Sequence, residues 1–181
     1  MQKTLAQGSE KVTLDGKVDL SGQTLTLDGD GAFGRKGGRL HLNVTLPIVG
    51  RTSVDELVVG NRTWLRTALL GKDWVRVDQS PKALGFDARS LTGVTPRSAL
   101  LLLERGTVEA SGTNHYRVTL GETSGDVRFN SAEAWVDDQN LVRKVKLDFD
   151  ANVSSSDKAH TVLTIDYSDF GTPVDVSPPT G

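Results

Sequence analysis

The chain has 181 residues and a formal net charge of −2, with 21 Lys and Arg against 23 Asp and Glu, and no cysteine. This length predicts one domain, residues 1–181, with a core of its own. The near-neutral charge speaks against a nucleic-acid partner, and the lack of cysteine excludes disulfides, thiolate metal sites and cysteine catalysis.

Alternation of apolar and polar residues dominates the first half of the chain and predicts strands with one buried face. Residues 1–9 precede them. The inward residues of the first three strands are Val12, Leu14, Val18 and Leu20; Leu25, Leu27, Gly29, Gly31 and Phe33; and Leu40, Leu42, Val44 and Leu46. Further strands are predicted at 53–59, 63–67 and 73–77. Because short connections join only antiparallel neighbours, these strands form a meander.

The alternation stops between residues 78 and 106. Residues 81–86 fit one helical turn, and Thr95 as N-cap with Pro96 at the first helical position predicts a helix. That helix runs to Arg105 and ends at Gly106, since glycine is a common helix terminator.

Strands resume in the last third of the chain. They are predicted at 107–110, 114–120, 132–137, 141–153 and 160–168, and residues 172–181 are expected to be a flexible tail. The predicted fold class is therefore α+β and mainly β. It is a single large, curved, mostly antiparallel sheet of ten or eleven strands with one helix, and a sheet this wide must curl or close to protect its faces and edges.

Four consecutive leucines, Leu100 to Leu103, point in four directions around the predicted helix. A helix lying on a sheet needs only one apolar stripe. The helix is therefore buried on every side, or it is half-buried and offers an apolar surface. In the first case the sheet curls around it, and in the second it caps an apolar cavity.

Residues that could carry out catalysis or bind a metal are scarce. His41 and His160 lie on the polar faces of predicted strands, and His115 points outward or to an edge. The acidic pair Asp28 and Asp30 lies beside a predicted turn and does not match a calcium loop. No nucleophile-elbow, zinc-helix or phosphate-loop motif occurs. We expect neither an enzyme nor a cofactor-binding protein.

Five segments together resemble the bacterial lipoproteins of the LppX/LprG type, which share a fold with the LolA-type lipoprotein carriers. They span nearly the whole chain and are LAQGSEKVTLDG (5–16), WVRVD (74–78), GTNHYRV (112–118), AWVDDQNLVRKV (134–145) and IDYSDFGTPVDV (165–176). The connection 78–105 resembles the corresponding loop of actinobacterial members of the family.

The resemblance implies a half-barrel over helices, with an apolar pocket between them that holds a lipid or another long-chain apolar ligand. It implies transport of lipid or lipoprotein in the cell envelope, without catalysis. Members of the family carry a signal peptide and a lipidated cysteine, which we expect to be missing from this sequence. Residues 5–16 resemble the end of the family's first helix and the start of its first strand, so we expect residues 1–9 to be the remnant of an N-terminal helix. We therefore expect the soluble part of an extracytoplasmic, membrane-anchored lipoprotein, a monomer, with Met1 as an added start.

The residues expected to line the pocket are all apolar. From the helical region they are Leu84, Phe86, Leu91, Leu100, Leu101 and Leu103, and from the sheet they are Leu27, Phe33, Leu42, Val44 and Leu147. Each of them fits ordinary core packing equally well. The alternative is a protein-interaction or envelope-stress sensor module with a filled core, docking its partner through Leu69, Leu70 and the tryptophan side of the sheet.

Overall fold

The computed structural model describes residues 2–47, 50–68, 71–77, 95–120, 127–152 and 158–179. The helices in this part of the chain are α1 (Gln2–Ala6) and α2 (Pro96–Arg105). The strands of the first half are β1 (Ser9–Leu20), β2 (Gln23–Gly34), β3 (Gly37–Leu46), β4 (Gly50–Val59), β5 (Arg62–Thr67) and β6 (Gly71–Arg76). Those of the second half are β7 (Thr107–Gly112), β8 (His115–Thr119), β9 (Val127–Val136), β10 (Val142–Asn152) and β11 (Lys158–Ser168).

All eleven strands form one antiparallel sheet, in the order β6-β5-β4-β3-β2-β1-β11-β10-β9-β8-β7. The first six strands form one meander and the last five form another. The two meanders meet where β1 pairs with β11. β6 and β7 are the edges, so the sheet does not close on itself within the described residues. The predicted fold class, α+β and mainly β with a curved antiparallel half-barrel of ten or eleven strands packed on one or a few helices, is confirmed.

Alternation along the strands separates two faces of the sheet, because successive side chains point to opposite sides. We call the face that packs on α2 the inner face and the opposite one the outer face. Val12 and Leu14 of β1 lie on the inner face, where they pair in register with Tyr167 and Ile165 of β11. All four are buried.

α2 begins and ends where its capping residues predict. Thr95 accepts a hydrogen bond at its Oγ1 from the backbone N–H of Ser98 at 3.1 Å, and Pro96 occupies the first turn. The N–H of Gly106 closes the last turn on the carbonyl of Leu103. The buried stripe comprises Pro96, Ala99, Leu100 and Leu103.

The other side of α2 faces away from the core. Leu101 is 44% exposed, so the helix is half-buried and the sheet does not enclose it on every side. Neither helix in the described part of the chain is long and apolar enough to cross a bilayer.

Both ends of the chain are held against the sheet. Thr4 of α1 is fully buried, and its Oγ1 accepts a hydrogen bond from the N–H of Val142 at 2.8 Å. At the other end, Ser9 donates from its hydroxyl to the carbonyl of Thr172 at 2.6 Å. Residues 172–179, the described part of the segment expected to be a flexible tail, follow from this point.

Glycines allow neighbouring strands of the inner face to lie close together. A Cβ on Gly31 of β2 would overlap the carbonyl oxygen of Arg39 and lie 3.1 Å from the Cα of Leu40, both on β3. This obstacle is backbone, so it cannot swing away as a flexible side chain would. Gly31 is therefore required for the packing of β2 on β3.

We expect Gly31→Ala to lower the free energy of unfolding by about 1–3 kcal/mol, the usual range for overpacking. Urea denaturation followed by tryptophan fluorescence measures it. Gly34→Ala on the same strand is the matched control, because the nearest atom to its added Cβ, Val174 Cβ, lies at an ordinary 3.4 Å. Equal losses in the two variants would contradict the explanation.

Candidate functional site

The inner face carries two apolar clusters. The larger one surrounds α2, with Ala99, Leu100 and Leu103 of the helix at its centre. The smaller one joins Val54 of β4 and Leu65 of β5, and Leu42, Val44 and Val77 pack against it. No described residue of α2 belongs to the smaller cluster. The apolar inner face therefore continues along the sheet beyond the area that α2 covers.

Most of the predicted lining residues in the described part of the chain lie on this inner face. Phe33, Leu100, Leu103 and Leu147 are buried in the larger cluster. Leu27 and Leu42 are partly buried against that cluster, and Leu42 also contacts the smaller one, as Val44 does. Leu42 is thus the point at which the two clusters meet.

The remaining lining residues divide into two groups. Leu101 lies on the exposed side of α2, away from the buried stripe, so the structure does not bring it together with the others. Leu84, Phe86 and Leu91 belong to the connection between β6 and α2 and lie outside the described residues. The same holds for Leu69 and Leu70, which the alternative hypothesis names.

A carboxyl group lies within the apolar inner face. Glu56 of β4 stands in register between Leu40 of β3 and Leu65 of β5, and its side chain is only 3% exposed. Its Oε1 has no hydrogen-bond partner. Burial raises the pKa of this carboxyl to about 7. Glu56 is therefore a polar group at the border between the two apolar clusters.

A second buried carboxyl lies at the start of β1. Glu10 is 1% exposed, and its Oε1 lies 3.6 Å from Nη1 of Arg97 in α2. Burial raises the pKa of Glu10, and the positive charge of Arg97 opposes that effect. Close to this ion pair, Tyr167 donates its hydroxyl to the carbonyl of Pro96 at 2.7 Å. These contacts attach the first turn of α2 to β1 and β11.

The outer face carries a row of charged and aromatic side chains across β3 to β6. His41 Nδ1 lies 2.7 Å from Asp55 Oδ1, and Arg66 donates to Asp55 Oδ2 from Nε at 3.1 Å and from Nη2 at 2.9 Å. The Arg66 guanidinium lies over the ring of Trp74, 4.7 Å from its centroid. Burial tends to raise the pKa of Asp55, but hydrogen bonds from His41 and Arg66 outweigh it and lower that pKa.

A groove of about 710 Å³ lies over this row, between the sheet and the C-terminal tail. Ser177, Pro178 and Pro179 of the tail form one of its walls. Leu57, although it points to the outer face, is only 4% exposed and lines the same groove. The groove mixes charges of both signs with apolar surface. Within the described residues, no group of three His, Asp or Glu side chains is placed to hold a metal ion.

Sequence reasoning missed both Glu56 and the row on the outer face. Glu56 could have been found, because Val54, Glu56 and Val58 share the inward phase of an alternating strand, and a charged residue in that phase is unusual. The row of His41, Asp55 and Arg66 depends on the register of three strands. A single strand read by itself carries no such information.

Comparisons with known proteins yield structural similarities only, since no family model and no curated protein matches the chain. A DUF1329 family protein from Desulfovibrio piger has a TM-score of 0.40 at 11% identity, over 96% of this chain and 90% of that one. A putative outer membrane lipoprotein-sorting protein domain from Vibrio parahaemolyticus has a TM-score of 0.40 at 11% identity, over 96% of this chain and 92% of that one. The YwiB protein from Bacillus subtilis has a TM-score of 0.32 at 9% identity, over 89% of this chain and 94% of that one. The LppX/LprG resemblance remains a prediction from the sequence.

Glu56 should make the stability of the fold depend on pH. Its carboxyl loses its proton near 4.5 in the unfolded chain and at about 7 in the folded one. Because the pKa is higher in the folded state, the folded chain binds this proton more tightly than the unfolded chain does. The resulting stabilisation of the fold is complete below pH 4.5 and is lost as the pH rises through 7. The difference amounts to about 3 kcal/mol at roughly 1.4 kcal/mol per pH unit.

We expect Glu56→Gln to abolish this part of the pH dependence, because the amide stays neutral. Urea unfolding of wild type and variant at a series of pH values between 4.5 and 8.5 measures the difference. Asp30→Asn, a neutralisation on the exposed outer face, is the control and should leave the slope unchanged. A wild-type slope that persists in Glu56→Gln would show that Glu56 is not its source.

Proposed function

We propose that this chain binds a lipid or another long-chain apolar molecule on the inner face of its sheet and carries it in the bacterial cell envelope, without catalysis. The observation that carries the proposal is the second apolar cluster, around Val54 and Leu65, which continues the inner face beyond α2. Val54 and Leu65 are apolar and buried, although no described residue of α2 belongs to their cluster.

The half-buried helix supports the same proposal. α2 contributes Leu100 and Leu103 to the core and keeps Leu101 exposed, so it lies over one part of an open sheet. The LppX/LprG resemblance, which lies in other segments of the sequence, implies the same use of such a face. The envelope location, the lipid anchor on a longer precursor and the monomeric state rest on that resemblance and are part of the proposal.

The energetics suit a carrier. Moving a sixteen-carbon chain from water to an apolar face releases on the order of 10 kcal/mol, at ~0.8 kcal/mol per buried CH₂. A bilayer offers the chain an equally apolar environment, so most of that gain cancels when the ligand comes from a membrane. The small remaining preference allows the protein both to take up a lipid and to release it.

A second candidate function rests on the outer face. The groove between the sheet and residues 177–179 is lined by Trp74, Leu57 and Arg66, a combination that protein interfaces favour. In that case the chain is an interaction or sensor module, and its inner face is an ordinary core. The two functions differ in whether the purified chain takes up lipid.

The test is native mass spectrometry after incubation with mixed micelles of phosphatidylethanolamine and monoacylglycerol. We expect adducts of lipid mass that disappear on denaturation. Leu42→Trp should weaken uptake about tenfold or more, because the indole would occupy the space where the two clusters meet. A protein that remains free of adducts would contradict lipid binding and favour the interaction module.

Leu101→Trp is the matched control, since the same substitution on the exposed side of α2 adds an indole without entering the inner face. It should bind lipid as wild type does. Thermal unfolding of both variants shows whether they fold. Equal uptake by folded Leu42→Trp and by wild type would place the ligand somewhere other than the junction of the clusters.

A further inference from the structure

Glu56 is a buried hydrogen-bonding group whose register neighbours are apolar. Leu40 and Leu65 flank it on the adjacent strands, and Val54 is its neighbour on the same face of β4. Nothing in the described part of the chain bonds to its buried Oε1. A buried polar atom without a partner is costly and uncommon in folded proteins, so its presence calls for an explanation.

Asp55, the residue before Glu56 on β4, is an acid that has partners on the neighbouring strands. Asp55 points to the outer face and receives hydrogen bonds from Arg66, with His41 Nδ1 at 2.7 Å. Its charge is thus balanced by residues of the neighbouring strands. For Oε1 of Glu56, one residue further on, the described strands on its two sides provide no such partner.

Glu10, the other buried acid of the inner face, also differs from Glu56. Its carboxyl lies 3.6 Å from the guanidinium of Arg97, so a charge of the protein itself faces it. Only burial acts on the Glu56 carboxyl, and no charged group of the described chain opposes it. Both carboxyl oxygens of Glu10 and Oε1 of Glu56 lack a hydrogen-bond partner. Within the described residues, Glu56 differs in that no opposite charge faces it either.

The surroundings restrict which chemical group fits Glu56. Its buried Oε1 lacks a partner among apolar strand neighbours, so the group that fits must be able to pair with the carboxyl in whichever protonation state it has. An ammonium group would pair with the ionised form alone, and an ester carbonyl would accept a hydrogen bond from the protonated form alone. A hydroxyl both donates and accepts, so it pairs with either form, and it is less costly than a charge to place among leucines.

We propose that Glu56 binds a hydroxyl group carried by the apolar ligand. The substrate class is then a long-chain alcohol, or a lipid with a hydroxyl close to its hydrocarbon chain. This assignment rests on the proposed function, since it names the polar group of the molecule that the inner face holds. The border position of Glu56 places the hydroxyl where the two clusters meet, with hydrocarbon on both sides.

Displacement of the neutral fluorophore 1-aminoanthracene by 1-dodecanol, dodecane and methyl laurate tests the assignment. Glu56→Leu should bind 1-dodecanol about tenfold more weakly than wild type, the size expected for one lost hydrogen bond, and should bind dodecane unchanged. Glu56→Gln should stay within about threefold of wild type for 1-dodecanol, because the amide still pairs with a hydroxyl. Unfolding midpoints verify that both variants fold.

The possible failures are distinguishable. A Glu56→Leu variant that binds 1-dodecanol as wild type does, or that loses dodecane equally, overturns the role of Glu56 but leaves lipid binding intact. A loss confined to methyl laurate overturns the hydroxyl in favour of a carbonyl. A wild-type chain that takes up neither the fluorophore nor any of the three ligands overturns the proposed function, and this assignment with it.

Discussion

The antiparallel pairing of β1 with β11 holds the two halves of the molecule together. It runs in register from Lys11 opposite Ser168 to Leu20 opposite Ala159, and it joins strands from opposite ends of the chain. Each meander could form from local hairpins, but the eleven-stranded sheet requires this one long-range contact. Because contacts between distant residues form slowly, its formation is the step we expect to limit folding.

The same pairing creates the inner face that the helices cover. Residues of β1, β11 and their neighbours supply the larger cluster around α2, and β3 to β5 extend the apolar surface beyond the helix. If the two meanders did not pair, α2 would have the inner face of only one of them to pack on. The candidate binding surface therefore depends on the pairing of β1 with β11 as much as on its own leucines and valines.

Successive side chains of a strand point to opposite faces of the sheet, so neighbouring residues of one strand meet different surroundings. On β4, Asp55 joins His41 and Arg66 at the outer surface, whereas Glu56 is buried among the leucines of the inner face. Two acids adjacent in the chain therefore have pKa values shifted in opposite directions. The cause is their orientation relative to the sheet, since the two side chains are chemically alike.

Local patterns carried most of the prediction of the fold. Alternation predicted the strands and their inward residues, and Thr95, Pro96 and Gly106 predicted both ends of α2, because capping depends on residues within one turn. The leucines of α2 show where such reasoning stops. Leu100, Leu101 and Leu103 are chemically identical, and the side of the helix that meets the sheet determines that Leu101 alone among them is exposed.

Short-range patterns are enough to predict which residues form strands and helix and which faces are apolar, since these depend on neighbours a few positions away. Three outcomes depend instead on how the whole chain packs: β11 pairs with β1, Asp55 meets His41 and Arg66, and Glu56 lies buried without a partner for its Oε1. These outcomes depend on the register between strands far apart in the chain. Register is set by the packing of the whole sheet, and no single segment encodes it.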